Sequence, residues 1–183
     1  MGLCDGETMS IIARGLHATD PTSLVDGEPW AGGPAGIEIN DKGKQRGLGW
    51  GCFNDQMRDG LRGSVFEVAD FGFVNGGTDI EGVKSGIVGG TRSFSDSPLE
   101  CINYVECHDN HTLEDRLRLH REKARLEDRT EAAHDRMSRL AMPALMTSQG
   151  LPSPPAGQAL GPPHPGEDTT STPGHALHHR RRP

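Results

Sequence analysis

Ile102-Asn103-Tyr104-Val105-Glu106-Cys107, followed by His108-Asp109-Asn110, is a run of β-branched, aromatic and small residues that closes on an imidazole and a carboxylate. Its first six residues, Ile102 to Cys107, read as a strand. A second segment has the same form: Thr22 to Asp26 reads as a short buried strand, and Gly27-Glu28-Pro29-Trp30 follows it. Each strand therefore delivers one carboxylate, Asp109 or Glu28, where strand meets loop. Upstream, Thr8 to Ala18 reads as a helix, because Ile11, Ile12 and Leu16 fall near one face and Asp5 or Thr8 can cap its start. Asp20-Pro21 ends it, since the residue before a proline avoids the helical region. Helix, turn and strand in that order predict an α/β fold.

Working outward, Leu48 to Phe53 reads as a further short strand and Gln56 to Leu61 as a short helical turn. The stretch from there to about Ser97 is Gly-rich and reads as irregular. From Thr112 to about Met142 the pattern is helical with a break midway, the apolar positions being Leu113, Leu117, Leu126, Met137, Leu140 and Ala141. Its charges read as a solvated face, with Glu114 and Arg118 a supportive i,i+4 pair and Glu131 and Asp135 a mildly repulsive one. Pro143 to Ser148 is expected to carry the last helix-to-strand transition. After Gln149 prolines crowd in with Gly, Ser, Thr and His, and the chain ends in His178-His179-Arg180-Arg181-Arg182-Pro183. This predicts a folded unit over 1–150 and a disordered tail over 151–183.

Composition narrows the function. Of 183 residues, 33% are apolar and 4% aromatic, which is lean for a self-sufficient core. The net charge of −7 argues against a nucleic-acid partner, because phosphate binding needs a basic face, and is compatible with a neutral sugar polymer. No apolar run approaches the ~20 residues needed to cross a bilayer, and the N-terminus lacks the basic and apolar regions of a leader. No membrane partner and a cytoplasmic location are the corresponding expectations. Cys4, Cys52, Cys101 and Cys107 are scattered without metal-ligand spacing and read as reduced thiols. His175, His178 and His179 read as part of a polar tail. No cofactor and no metal are expected.

Two carboxyl groups flanking a scissile bond are the requirement of glycoside hydrolysis, and on a (β/α)8 barrel such groups sit at the C-terminal ends of strands. Ile102-Asn103-Tyr104-Val105 running into His108-Asp109-Asn110 and Thr112-Leu113 resembles the strand-seven motif of the alpha-amylase superfamily of glycoside hydrolases. Gly27-Glu28-Pro29-Trp30 resembles its strand-five motif in the form found in type I pullulanases. Gln45-Arg46-Gly47-Leu48-Gly49, Phe53-Asn54-Asp55 with Arg58-Asp59, Leu61-Arg62-Gly63, Gly72-Phe73-Val74 and Thr147-Ser148-Gln149-Gly150 carry the same resemblance over roughly residues 1 to 152.

The resemblance implies an α/β fold that is an incomplete (β/α)8 TIM barrel, roughly strands five to eight. It implies a retaining hydrolase that cleaves α-1,6-glucosidic bonds in an α-glucan such as pullulan, starch or glycogen. Glu28 matches the general acid/base, Asp109 the carboxylate that stabilises the transition state, and His108 the imidazole that hydrogen-bonds the sugar. Asn110 and Trp30 stand beside them as cleft residues; Trp30 is open to two readings, a sugar-stacking face or a core side chain.

The same resemblance places the nucleophile just before Met1, so none is expected in the chain. It also gives out after Pro152, where Ser153-Pro154-Pro155 departs from the pattern and a shifted reading frame is the expected source of the tail. Asp26 and Glu114 stand where the pattern has Tyr and Trp. A half barrel exposes two strand edges, so poor stability or self-association is expected, and the alternative function is a non-catalytic truncated product with weak carbohydrate binding.

Overall fold

The computed structural model describes residues 5–28, 30, 41–123 and 130–154. The tail beyond 154, Cys4 and the break expected midway along 112–142 lie partly or wholly outside the described residues. Helix α1 spans Gly6–Thr19, strand β1 Asp26–Gly27, β2 Gly51–Phe53, α2 Asp55–Arg62, α3 Glu81–Ile87, β3 Cys101–Asn103, α4 Leu113–Lys123, α5 Glu131–Thr147 and β4 Leu151–Pro152. The four strands pair in parallel in chain order, β1-β2-β3-β4, with helices α2 and α3 between β2 and β3, and α4 and α5 between β3 and β4. The α/β expectation is met, and the parallel order puts every strand's C-terminal end on one side.

Local chemistry explains the helix starts. Asp5 caps α1, its carboxylate accepting from the Thr8 amide at 2.8 Å and the Thr8 hydroxyl at 2.6 Å. Asn54 caps α2 by accepting from the Met57 amide, and Thr130 caps α5 by accepting from the Ala133 amide. Each satisfies one of the orphan donors of a first turn.

The strands are shorter than their sequence suggests. Of Thr22 to Asp26 only Asp26 pairs, with Gly27, although the Val25 carbonyl still accepts from the Gly51 amide at 2.7 Å. Leu48 and Gly49 lie in a turn in which Gly47 and Gly49 take positive φ. The ladder of β3 stops at Asn103 because β2 turns into α2 at Asn54, whose amide makes the last bond, to the Ile102 carbonyl at 2.8 Å. Tyr104 and Val105 stay fully buried without ladder partners.

Two helices differ from expectation. Within the stretch read as irregular, Glu81–Ile87 forms α3, and its glycines serve contact rather than flexibility. A Cβ at Gly82 would run into the Gln56 carbonyl, and one at Gly86 into the Met57 side chain, so α3 lies directly on α2. Pro143 does not mark a transition but sits inside α5. A proline there forfeits one helix bond. The helix persists because Ala141 and Leu145, on either side, are fully buried, and at its end the Thr147 and Ser148 hydroxyls donate to the carbonyls of Pro143 and Ala144.

The core has two parts. Met57, Leu61, Val74, Val83, Val105, Leu113, Leu117, Ala141 and Leu145 gather α2 to α5. Met9, Ala13, Trp50, Cys52, Phe94 and Cys101 form a smaller cluster against α1. Helix α1 buries only Met9, Ser10 and Ala13 and leaves Ile11, Ile12 and Leu16 about half exposed. Leu151 and Pro152, placed in the tail from sequence, pair with Ile102 and Asn103, so the folded unit runs past Gly150.

Candidate functional site

Glu28 directly follows β1 and projects from the C-terminal side of the sheet. His108 and Asp109 lie a few residues beyond β3, on the same side. One donor atom from each of Glu28, His108 and Asp109 falls within 4.8 Å of the others. His108 Nε2 stands 3.9 Å from Glu28 Oε1, and the cluster is open: the His108 side chain is 81% and the Glu28 side chain 40% exposed. The structure thus brings together three of the five residues singled out from sequence. Asn110 and Trp30 are half-buried, and neither is tied into the cluster by a hydrogen bond to another described residue.

The loop that carries His108 and Asp109 is held from several directions. The Glu106 carboxylate accepts from the Leu113 amide at the start of α4, closing the loop on itself. Burial raises the Glu106 carboxyl above the usual range, with the Leu113 bond and the nearby Arg62 charge working the other way. Arg62, fully buried at the end of α2, donates through Nη1 to the His111 carbonyl at 2.7 Å. Burial first, then Arg58 and Arg116, lowers that guanidinium to about 10. Arg58 donates to the Tyr104 hydroxyl at 2.6 Å and pairs with Asp59. Within the loop, the Cys107 thiol donates to Asp109 Oδ1 at 2.7 Å.

A second scaffold lies alongside. Arg116, buried in α4, donates to the carbonyls of Ser64, Glu67, Val68 and Asp70 and so fixes the turn that follows α2. Gly63 makes that turn with φ +87°, where a side chain would be strained and would strike the Asp70 carbonyl. These anchors were missed in the sequence because Arg58, Arg62 and Arg116 look like solvent-facing charges there. Cavities of about 530 and 500 Å³ lie elsewhere, the first lined by Gln56, Glu81, Lys84 and Arg92, the second at the N-terminal end of the strands beside His17, Leu24, Val25 and Glu100.

A parallel α/β segment here gathers two carboxylates and an imidazole beyond its strand ends, the side on which (β/α)8 glycoside hydrolases also place their carboxylates. Comparison with known proteins gives the particular kind: in sequence and in fold the chain is similar to a segment of pullulanases. It is 29% identical over 167 residues to a pullulanase of Bacillus subtilis, covering 86% of this chain and 23% of that protein. It is 27% identical over 170 residues to pullulanase A of Streptococcus pneumoniae, covering 88% of this chain and 13% of the relative. Among solved structures, the pullulanase of Bacillus acidopullulyticus superposes with a TM-score of 0.78 at 39% identity, over 84% of this chain and 19% of its own. That of Paenibacillus barengoltzii in complex with maltohexaose and alpha-cyclodextrin gives 0.76 at 40% identity, over 86% of this chain and 25% of its own. The chain therefore spans less than a third of the relatives it matches. No family model matches it.

Proposed function

We propose that the chain is the part of a debranching glycoside hydrolase, acting on α-1,6-glucosidic bonds of an α-glucan, that carries the general acid/base and the transition-state carboxylate. The convergence of Glu28, His108 and Asp109 within 4.8 Å supports this reading most directly. In this reading the four parallel strands are strands five to eight of a (β/α)8 barrel. Glu28 protonates the leaving oxygen and then activates water, Asp109 holds sugar hydroxyls as the oxocarbenium-like charge develops, and His108 hydrogen-bonds the same sugar. Asn110 and Trp30 line the approach.

A retaining mechanism also needs a nucleophile, a role that the resemblance gives to none of Glu28, His108 and Asp109. A second reading for the chain by itself is therefore α-glucan binding without turnover. The exposed Ile11, Ile12 and Leu16 on α1 support self-association in the same state. The test is to titrate the chain with maltohexaose by calorimetry and to assay reducing-sugar release from pullulan. Saturable binding that is lost in Asp109→Asn, without turnover, is the expected result. Absence of binding overturns the α-glucan reading, and release of maltotriose that depends on Glu28 overturns the non-catalytic one.

A further inference from the structure

We propose that Cys107 is a positioning residue for Asp109, its thiol holding one carboxylate oxygen so that the other is presented to a sugar hydroxyl; this rests on the α-glucan reading above.

The backbone around Asp109 is fixed at both ends, by Glu106 on Leu113 and by Arg62 on the His111 carbonyl. Neither contact reaches the Asp109 carboxylate, which faces Glu28 and His108 within 4.8 Å. The hydrogen bond to one carboxylate oxygen comes from Cys107, whose thiol faces Oδ1. The two residues are i and i+2 in the same loop, so the contact needs no long-range closure. The thiol serves Oδ1 alone, and Oδ2 keeps its capacity to accept. Burial and the bond to Asp109 push the Cys107 thiol up to about 11, so at neutral pH it stays protonated and remains a donor. Cys52 and Cys101, by contrast, are buried in the paired strands β2 and β3 and sit away from the loop.

The test uses the full chain and two readouts, one of them independent of sugar. In the first, alkylation of Cys107 by iodoacetamide is followed by peptide mass spectrometry. Asp109→Asn removes a bond and a charge that add to burial in keeping the thiol protonated, so the rate rises, by about fivefold or more. In the second, maltohexaose affinity is measured alongside thermal unfolding. Cys107→Ala weakens affinity by about three- to tenfold at unchanged Tm, and Cys107→Ser restores it. The double variant with Asp109→Asn binds no more weakly than Asp109→Asn alone, because the two changes break one interaction. An unchanged alkylation rate in Asp109→Asn overturns the proposal. So does unchanged affinity in Cys107→Ala, or additivity in the double variant, while the α-glucan reading stands. Absence of saturable maltohexaose binding by the unaltered chain overturns that reading and this proposal together.

Discussion

Asn54 and Asn103 join neighbouring strands through their side chains: Asn54 Nδ2 donates to Asn103 Oδ1 at 2.9 Å, with both residues fully buried. Asn103 also donates to the carbonyls of Gly86 and Gln149, at 3.0 and 2.7 Å, and so ties β2, α3 and the approach to β4 to one amide. Asn103→Ala leaves a donor and two carbonyls to find other partners. We expect a loss of about 2–4 kcal/mol in urea unfolding, at about 1–3 kcal/mol per buried group left unsatisfied.

Gly82→Ala tests the contact between α2 and α3. Its Cβ would meet the Gln56 carbonyl, a backbone atom that cannot rotate away. The expected cost is about 1–3 kcal/mol by the usual penalty for overpacking, despite the better helix propensity of alanine. Gly15→Ala in α1, where a Cβ meets nothing within 4 Å, is the control and should be neutral or stabilising in the same denaturation experiment.

Arg116→Lys removes the planar fork that serves the carbonyls of Ser64, Glu67, Val68 and Asp70. A lysine ammonium cannot span them. Phe66 is 94% exposed within this turn and is a ready chymotrypsin site once the backbone loosens. Cleavage after Phe66 should therefore accelerate in the variant, and an unchanged rate would show that the turn is held by other contacts.

His120 sets a pH dependence. It is buried against Phe71, whose ring lies edge-on at 4.6 Å, and its Nδ1 contacts the Val68 carbonyl at 3.2 Å. Burial lowers its protonation range below the ordinary 6.5; the Val68 contact and Asp70 oppose this and Arg116 adds to it. The folded state therefore binds the proton less readily than the unfolded one. The stabilising contribution is present above 6.5 and is lost as pH falls through the lowered value. Melting temperatures taken from about pH 7.5 down to 5 should fall, and His120→Phe should flatten that part of the curve.

Glu28→Gln and His108→Ala should behave in the opposite way to Asn103→Ala. Both side chains are well exposed and their mutual approach is 3.9 Å. Unfolding free energies should stay within about 0.5 kcal/mol of the unaltered chain. A large loss of stability would identify the cluster as a structural ion pair instead of a site.

The α/β class, the helices α1, α2 and α5 and the strand end bearing Glu28 were legible because periodicity, caps and turn residues act locally, whereas the strand expected to run to Cys107 stops at Asn103 and leaves Asp109 on a loop. Helix α3 was not, because Gly82 and Gly86 weaken the local helical signal and are explained only by α2 lying against them. The helical course through Pro143 was hidden in the same way, since Ala141 and Leu145 decide it by burial. Glu114 was paired with Arg118 by spacing, yet it contacts His134 and Ser138 of α5, while Arg118 lies 3.7 Å from Glu131. The cluster of Glu28, His108 and Asp109 was legible as motifs; the bracing by Arg62, Glu106 and Cys107 depends on distances that a one-dimensional pattern does not carry.

The divided core gives the site a particular vulnerability. Glu28 is anchored through β1 to the part of the molecule that α1, Trp50 and Phe94 hold, whereas Asp109 is anchored through α4 to the larger assembly around Leu113 and Leu117. The two carboxylates thus lean on different clusters of side chains that meet at the sheet. Partial opening of the smaller cluster would draw Glu28 away from Asp109 while most helices stay intact, so the approach of the two carboxylates would be lost at a lower denaturant concentration than the fold itself.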